Sequence, residues 1–167
     1  MKTLKKGISN ITDAIAALGI MIVVIGLVVA AAALAYFYVN STSEVTLLTT
    51  VMNETRNLRS SSGYGTDDYV PALVKGGSIS RSYTVSDNRI YNKSGGQITV
   101  VGNGVGFTVT DSQLQQRDCV KVAKSLGTAD LLSTKINTTT FTTEVTGAGA
   151  ATACIDGDNT LTFTTKS

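Results

Sequence analysis

The sequence contains no histidine and no tryptophan, and only 16% of its residues are charged. An active site that uses imidazole is therefore excluded, and so is a histidine-ligated metal site. A serine or cysteine nucleophile would have no histidine to act as its base. No other catalytic constellation is apparent, so we expect no enzymatic activity, no cofactor and no metal ion.

Strong charge of one sign is also missing from most of the chain. The formal net charge is +2, and Lys2, Lys5 and Lys6 at the N-terminus account for the positive excess. The remaining charges balance and form no basic face, so we expect no nucleic-acid site. The glycines from Gly102 to Gly106 lack the spacing and the following helix of a phosphate-binding loop.

A long uncharged apolar run covers residues 14–39. It has about 26 residues and would be about 39 Å long as a helix, whereas a bilayer core needs about 20 residues. The preceding lysines predict a cytoplasmic N-terminus and an exported body. The run exceeds the 7–15 apolar residues typical of a cleaved secretory signal. A single-pass anchor and a helix that later forms a filament core both fit its length.

Two features favour the filament-core interpretation. Lys5-Lys6-Gly7 precedes the run as a short basic leader, and glycine allows a peptidase close access to the backbone. Asp13 stands at the start of the run, where a carboxylate is costly in lipid unless a cation pairs with it. The free α-amine of a neighbouring copy would be such a partner. The alternative is that Asp13 only caps the helix at the interface.

The helix is predicted to continue beyond the apolar run as an amphipathic extension over residues 40–60. Its apolar stripe follows the spacing of a helix and comprises Val45, Leu47, Leu48, Val51, Met52, Thr55 and Leu58. Gly63 and Gly65 are expected to end it. Gly19 and Gly26 weaken the helix within the apolar run, so we expect any local unwinding in a filament to centre there.

Residues 61–167 are rich in Ser, Thr, Gly and Asn and predict an α+β domain. Residues 61–68 are predicted to form a loop. Strands are predicted over residues 79–85, 97–101, 106–110, 138–145 and 160–164, with a hairpin at Gly102-Asn103-Gly104. An amphipathic helix is predicted over residues 113–126, with Gly127 as its cap. Asp156 and Asp158 are interpreted as turn residues, with a weak Ca²⁺ site including Asn159 as the alternative.

Cys119 and Cys154 are the two cysteines, too far apart for a CxxC metal or redox motif. In an exported body we expect them to form one structural disulfide. The alternative is a pair of buried free thiols in a cytosolic protein.

Three segments resemble the PilS-type pilins of conjugative thin pili, a group of type IVb pilins. They are residues 13–21 (DAIAALGIM), residues 92–100 (NKSGGQITV), and residues 107–110 (FTVT) followed by residues 118–123 (DCVKVA). The similarity covers most of the chain up to about residue 125. It implies the type IV pilin fold, in which a long N-terminal helix packs on an antiparallel sheet. It also implies a Cys119–Cys154 bridge that clasps the C-terminal region.

The resemblance further implies how such a subunit would be made and used. A prepilin peptidase would remove a leader over residues 1–8, and residues 9–39 would form the membrane-spanning and filament-core helix. The subunit would stay in the inner membrane until the pilus assembly machinery adds it to an extracellular homo-polymer on a Gram-negative-type bacterium. The implied role is cell–cell contact, as in mating-pair stabilisation, or adhesion to a cell-surface receptor that the sequence does not identify.

The cleavage point has two possible positions. The family's acid is usually a glutamate at the fifth mature position. Cleavage after Gly7 makes Asp13 the sixth residue, whereas cleavage after Ile8 makes Ser9 the first residue and Asp13 the fifth. A major pilin is the favoured function. A minor pilin or pseudopilin and a monomeric membrane-anchored binding domain are the alternatives.

Overall fold

The computed structural model describes residues 2–80 and 83–167, with side chains for residues 18–33, 35, 43–80 and 83–167. The chain divides into two compact units, Met1–Val39 and Asn40–Ser167. The helices are α1 (Lys2–Asn57), α2 (Val70–Lys75), α3 (Gln116–Leu126) and α4 (Gly147–Ala153). The strands are β1 (Thr84–Ser86), β2 (Arg89–Tyr91), β3 (Gln97–Asn103), β4 (Gly106–Leu114), β5 (Leu131–Ile136), β6 (Thr139–Phe141) and β7 (Asn159–Thr165).

Within the described residues, the seven strands form one sheet in the order β1-β2-β3-β4-β7-β5-β6. All paired neighbours are antiparallel. The last strand, β7, lies between β4 and β5, so it pairs with segments far away in the chain. Helices and an antiparallel sheet together confirm the predicted α+β class.

One face of the sheet is buried because apolar residues alternate along its central strands. Ile98 and Val100 on β3, Val109 on β4, and Leu161 and Phe163 on β7 are fully buried. The last turns of α1 contribute to the same hydrophobic core through side chains at helical spacing. These side chains are Leu47, Leu48, Val51 and Met52.

The hairpin predicted between the central strands is confirmed, but its turn was placed too early: Gly102 and Asn103 still belong to β3. Asn103 pairs with Gly106, so Gly104 and Val105 form the turn. Gly104 has a φ of 66°, which a glycine adopts without steric cost. Residues 97–101, 106–110 and 160–164 also lie in strands as predicted, although each strand is longer than its prediction.

Several local predictions were wrong. Residues 79–85 do not form one strand: β1 begins only at Thr84, and residues 81 and 82 lie outside the described residues. The stripe of α1 excludes Leu58, which is 37% exposed because the helix ends at Asn57. The helix predicted from residue 113 begins at Gln116, because β4 continues to Leu114.

The largest error concerns the segment between α3 and β7. The strand predicted over residues 138–145 is reduced to the three residues of β6, and the short helix α4 follows it. The strand β5 precedes it and was not predicted. The cap predicted for α3 is confirmed, since the N–H of Gly127 donates to the carbonyl of Ala123.

Candidate functional site

The residues predicted for leader cleavage and assembly are Gly7, Ile8, Ser9 and Asp13. All four fall in the range of α1, and their side chains lie outside those that the structure describes. The two cleavage positions and the assembly role of Asp13 therefore stay predictions.

Gly19 and Gly26 lie within α1, and a Cβ atom added at either position would meet no other atom within 4 Å. Neither glycine is therefore required by close packing within this chain. Their predicted role as points of unwinding in a filament stays a prediction.

The part of α1 between these glycines and around them exposes its apolar side chains on all sides. We call this the exposed apolar stretch. It comprises Leu18, Ile20, Met21, Ile22, Val23, Val24, Ile25, Leu27, Val28 and Val29, each between 51% and 70% exposed. Among the side chains that are described, no helix is long and apolar enough to cross a membrane.

Cys119 and Cys154 form a disulfide, with their Cα atoms 6.0 Å apart. Cys119 lies in α3, Cys154 directly follows α4, and both are buried. The predicted bridge is thus confirmed over the alternative of two free thiols. It closes a loop with a sequence separation of 35, worth roughly 3–4 kcal/mol of stability in the chain-entropy model.

Asn159 holds the chain in place after this disulfide. Its Oδ1 accepts from the Nδ2 of Asn137 and from the N–H of Ile155, both at 2.8 Å. Its Nδ2 donates to the carbonyls of Leu114, Ile155 and Gly157. The side chain of Asn159 is buried, and both its oxygen and its nitrogen are hydrogen-bonded within the chain. Asn159 therefore serves as a structural residue at this turn and not as the Ca²⁺ ligand considered from the sequence.

The Asn-x-x-Gly-Gly segment forms a tight loop between β2 and β3, which we call the Asn92 loop (residues 92–96). The Nδ2 of Asn92 donates to Asp111 Oδ1 at 2.8 Å and to the carbonyl of Ser112 at 2.6 Å. Its Oδ1 accepts from the N–H of Gly96 at 2.7 Å. Gly95 has a φ of 88°, and a Cβ at Gly96 would overlap the backbone of Ser112. The loop therefore requires asparagine and both glycines for identifiable reasons.

Two buried carboxyl groups lie next to the Asn92 loop. Asp111 on β4 is fully buried, and Glu44 on α1 is 3% exposed. The N–H of Lys93 donates to Glu44 Oε2 at 3.4 Å. Within the described residues, Glu44 Oε1 and Asp111 Oδ2 have no hydrogen-bond partner.

Burial favours the neutral form of both groups. It raises the pKa of Glu44 from 4.5 to about 7, an effect that the Lys93 N–H partly offsets. Burial likewise raises the pKa of Asp111 from 3.8 to about 8, and the nearby charge of Glu44 adds to this rise. The hydrogen bond from Asn92 acts in the opposite direction.

This pair was not predicted from the sequence, although a periodic signal was present. Glu44 precedes Leu47 and Leu48 by three and four residues, which places it on the apolar stripe of α1. Asp111 continues the alternation of Phe107 and Val109, which places it on the buried face of β4. An acid in register with apolar neighbours is a recognisable sign of a buried carboxyl group.

A comparison with known families identifies a match. The family model described as PilS N terminal matches residues 38–166, more than three quarters of the chain. The match includes the last turns of α1, the Asn92 loop and both cysteines, and it excludes Gly7 to Asp13. No curated protein matches the chain. The family predicted from the three motifs is confirmed, and the chain belongs to the PilS family of pilin-type proteins.

Proposed function

We propose that the protein is the major structural subunit of a type IVb pilus. Copies of the chain polymerise through the N-terminal helix into an extracellular filament that mediates cell–cell contact, such as mating-pair stabilisation, or adhesion. Before assembly the subunit resides in the inner membrane, where a prepilin peptidase removes its leader. The subunit has the type IV pilin fold, with the part of α1 from residue 40 onward packed on the sheet of residues 61–167, which we call the head.

The observation that carries this proposal is the exposed apolar stretch. Its ten side chains are more than half exposed on every side of the helix. Fully burying one such side chain is worth about 1.5–3 kcal/mol, so leaving ten of them in water is strongly unfavourable. A helix that is apolar all round needs an apolar environment all round. Lipid supplies it before assembly, and the same helix of other copies supplies it in the filament.

Asp13 adds an ion pair to the apolar contacts between neighbouring helices. A carboxylate that enters an apolar filament core requires a cation, and the free α-amine of a neighbouring subunit provides one. Such a pair fixes how far each new helix enters the filament. This role accounts for an acid at the start of a run that is otherwise free of charge.

Filaments purified from cells that express the chain test the major-subunit proposal. Mass spectrometry should show one dominant protein, lighter than the 17.4 kDa of the full sequence by the mass of its leader. Its N-terminal residue should be Ile8 or Ser9. Filaments in which the chain is rare would instead indicate a minor pilin, and a chain that forms no filament would indicate a monomeric anchored protein.

The role of Asp13 is tested by Asp13→Ala, with Asp130→Ala as a control at an exposed acid of the head. Asp13→Ala should insert into membranes at the wild-type level and reduce the number of filaments at least about tenfold, since a lost ion-pair partner of this kind costs about 3–5 kcal/mol. Asp13→Glu should restore most assembly. Wild-type filament numbers and lengths in Asp13→Ala would refute the proposed ion pair.

A further inference from the structure

Two acids from other parts of the fold contact the Asn92 loop, in addition to the carbonyl of Ser112 and the bonds within the loop itself. Asp111 accepts from the side chain of Asn92, which in turn holds the N–H of Gly96. Glu44 accepts from the N–H of Lys93, the next residue of the loop. The loop therefore joins the last turns of α1 to β4 through carboxyl groups that are almost completely buried.

Each of these acids has one oxygen that no donor reaches within the described residues. A buried carboxylate needs several donors to offset its lost hydration. Glu44 receives one long hydrogen bond from Lys93, and Asp111 receives one from Asn92. A proton on the unpartnered oxygen removes the charge that burial penalises, so the neutral acid suits this site better than the carboxylate.

We propose that Glu44 and Asp111 form a proton-dependent clasp, which holds the Asn92 loop closed while both are neutral and releases it when they ionise. The clasp goes beyond polymerisation, because it makes the contact between α1 and the head depend on pH. It involves no residue of the exposed apolar stretch and does not require that the chain forms filaments.

The other charged groups around the clasp are few. Lys93 on the loop favours the charged form of Glu44, and Asp118 on α3 opposes ionisation of both acids. Arg117 and Lys121 lie near Asp118 and favour its own ionised form. Burial is the largest influence on both acids, so these charges moderate the clasp and do not reverse it.

The direction of the pH dependence follows from the raised pKa values. In the unfolded chain both groups titrate near pH 4, whereas in the folded chain they titrate at about 7 and about 8. Between these values the folded state binds more protons than the unfolded state. Stability and loop closure therefore decrease as the pH rises from about 4 to about 8, and the loss is complete above that range.

Amide hydrogen exchange of the full chain in mild detergent tests the clasp. After correction for intrinsic exchange, protection of the Lys93 and Gly96 amides should fall at least about tenfold between about pH 6 and about pH 9. The double variant Glu44→Gln/Asp111→Asn should show no such fall. Controls are Glu54→Gln on α1 and Asp130→Asn in the head, which should keep the wild-type dependence. Equal protection of the wild type at both pH values would overturn the proposal, and so would a double variant that behaves like the wild type.

Infrared spectroscopy of the wild type gives a second test that does not depend on whether the double variant folds. Neutral carboxyl groups have a carbonyl band separate from that of carboxylates. At about pH 6, where ordinary carboxyl groups are ionised, a neutral band from the clasp should remain and should disappear by about pH 9. The absence of that band at about pH 6 would overturn the proposal.

Discussion

Two parts of α1 carry similar apolar side chains and expose them very differently. Ile22 and Leu27 in the exposed apolar stretch are 70% and 67% exposed, whereas Leu47 and Leu48 are 2% and 0% exposed. The later segment has polar residues between its apolar ones, so a single apolar stripe is enough to fix it in the core of its own chain. The earlier segment is apolar in every direction. One helix therefore combines a part that completes its own domain with a part whose apolar side chains find no cover within the described residues.

The same substitution should destabilise the protein strongly in one part of α1 and hardly at all in the other. Leu48→Ala removes a fully buried side chain and should lower the free energy of unfolding of the head by about 2–5 kcal/mol. Leu27→Ala should change it by less than about 0.5 kcal/mol, because Leu27 contributes nothing to that core. Denaturant titration of the full chain in detergent, followed by tyrosine fluorescence from the head, measures both. Similar losses of unfolding free energy in the two variants would contradict the proposed difference between the two parts of α1.

Removing the disulfide should affect only one of the two parts of the molecule, because both cysteines belong to the head. The double variant Cys119→Ser/Cys154→Ser should lower the free energy of unfolding by roughly 3–4 kcal/mol. Reductant should shift the wild type by a similar amount, leave the double variant unchanged, and leave amide exchange in residues 18–33 unchanged. A wild type whose stability does not respond to reductant would show that the bridge contributes nothing.

The glycines of the exposed apolar stretch should give the smallest effect. Gly19→Ala and Gly26→Ala add a methyl group that meets no described atom beyond the backbone of its own helix, and each should stabilise the helix by about 0.8–1.0 kcal/mol. Amide exchange near each position should slow by a factor of about five. Faster exchange would mean that these glycines are needed for contacts that alanine disrupts.

Strands and turns were predicted correctly where the alternation of apolar residues or the turn glycines are contained within a few consecutive residues. The hairpin between β3 and β4 has alternating strands on both sides of a glycine turn, and β7 alternates throughout. The strand β5 was missed because a shift in register between Leu131 and Ser133 interrupts its alternation. The helices α2 and α4 have six and seven residues, too few to show a helical period.

The candidate site was predicted less completely for a related reason. The cysteines could be paired from the sequence because only two are present. The clasp joins Glu44 to residue 93 and Asp111 to residue 92, and these residues meet only after the sheet has formed and α1 has packed in the core. The positions of the two acids in the apolar patterns were a sign of burial that the sequence predictions did not use. No pattern within a few residues of either acid indicated that both acids contact the Asn92 loop.

Electron cryomicroscopy of purified filaments, at a resolution that shows side chains, tests the central claim most directly. We expect the side chains of residues 18–29 to be packed against the same segment of other copies along the filament axis, with Asp13 next to the N-terminal amine of a neighbour. A filament joined only by contacts between heads, with residues 18–29 in solvent or detergent, would contradict polymerisation through this helix.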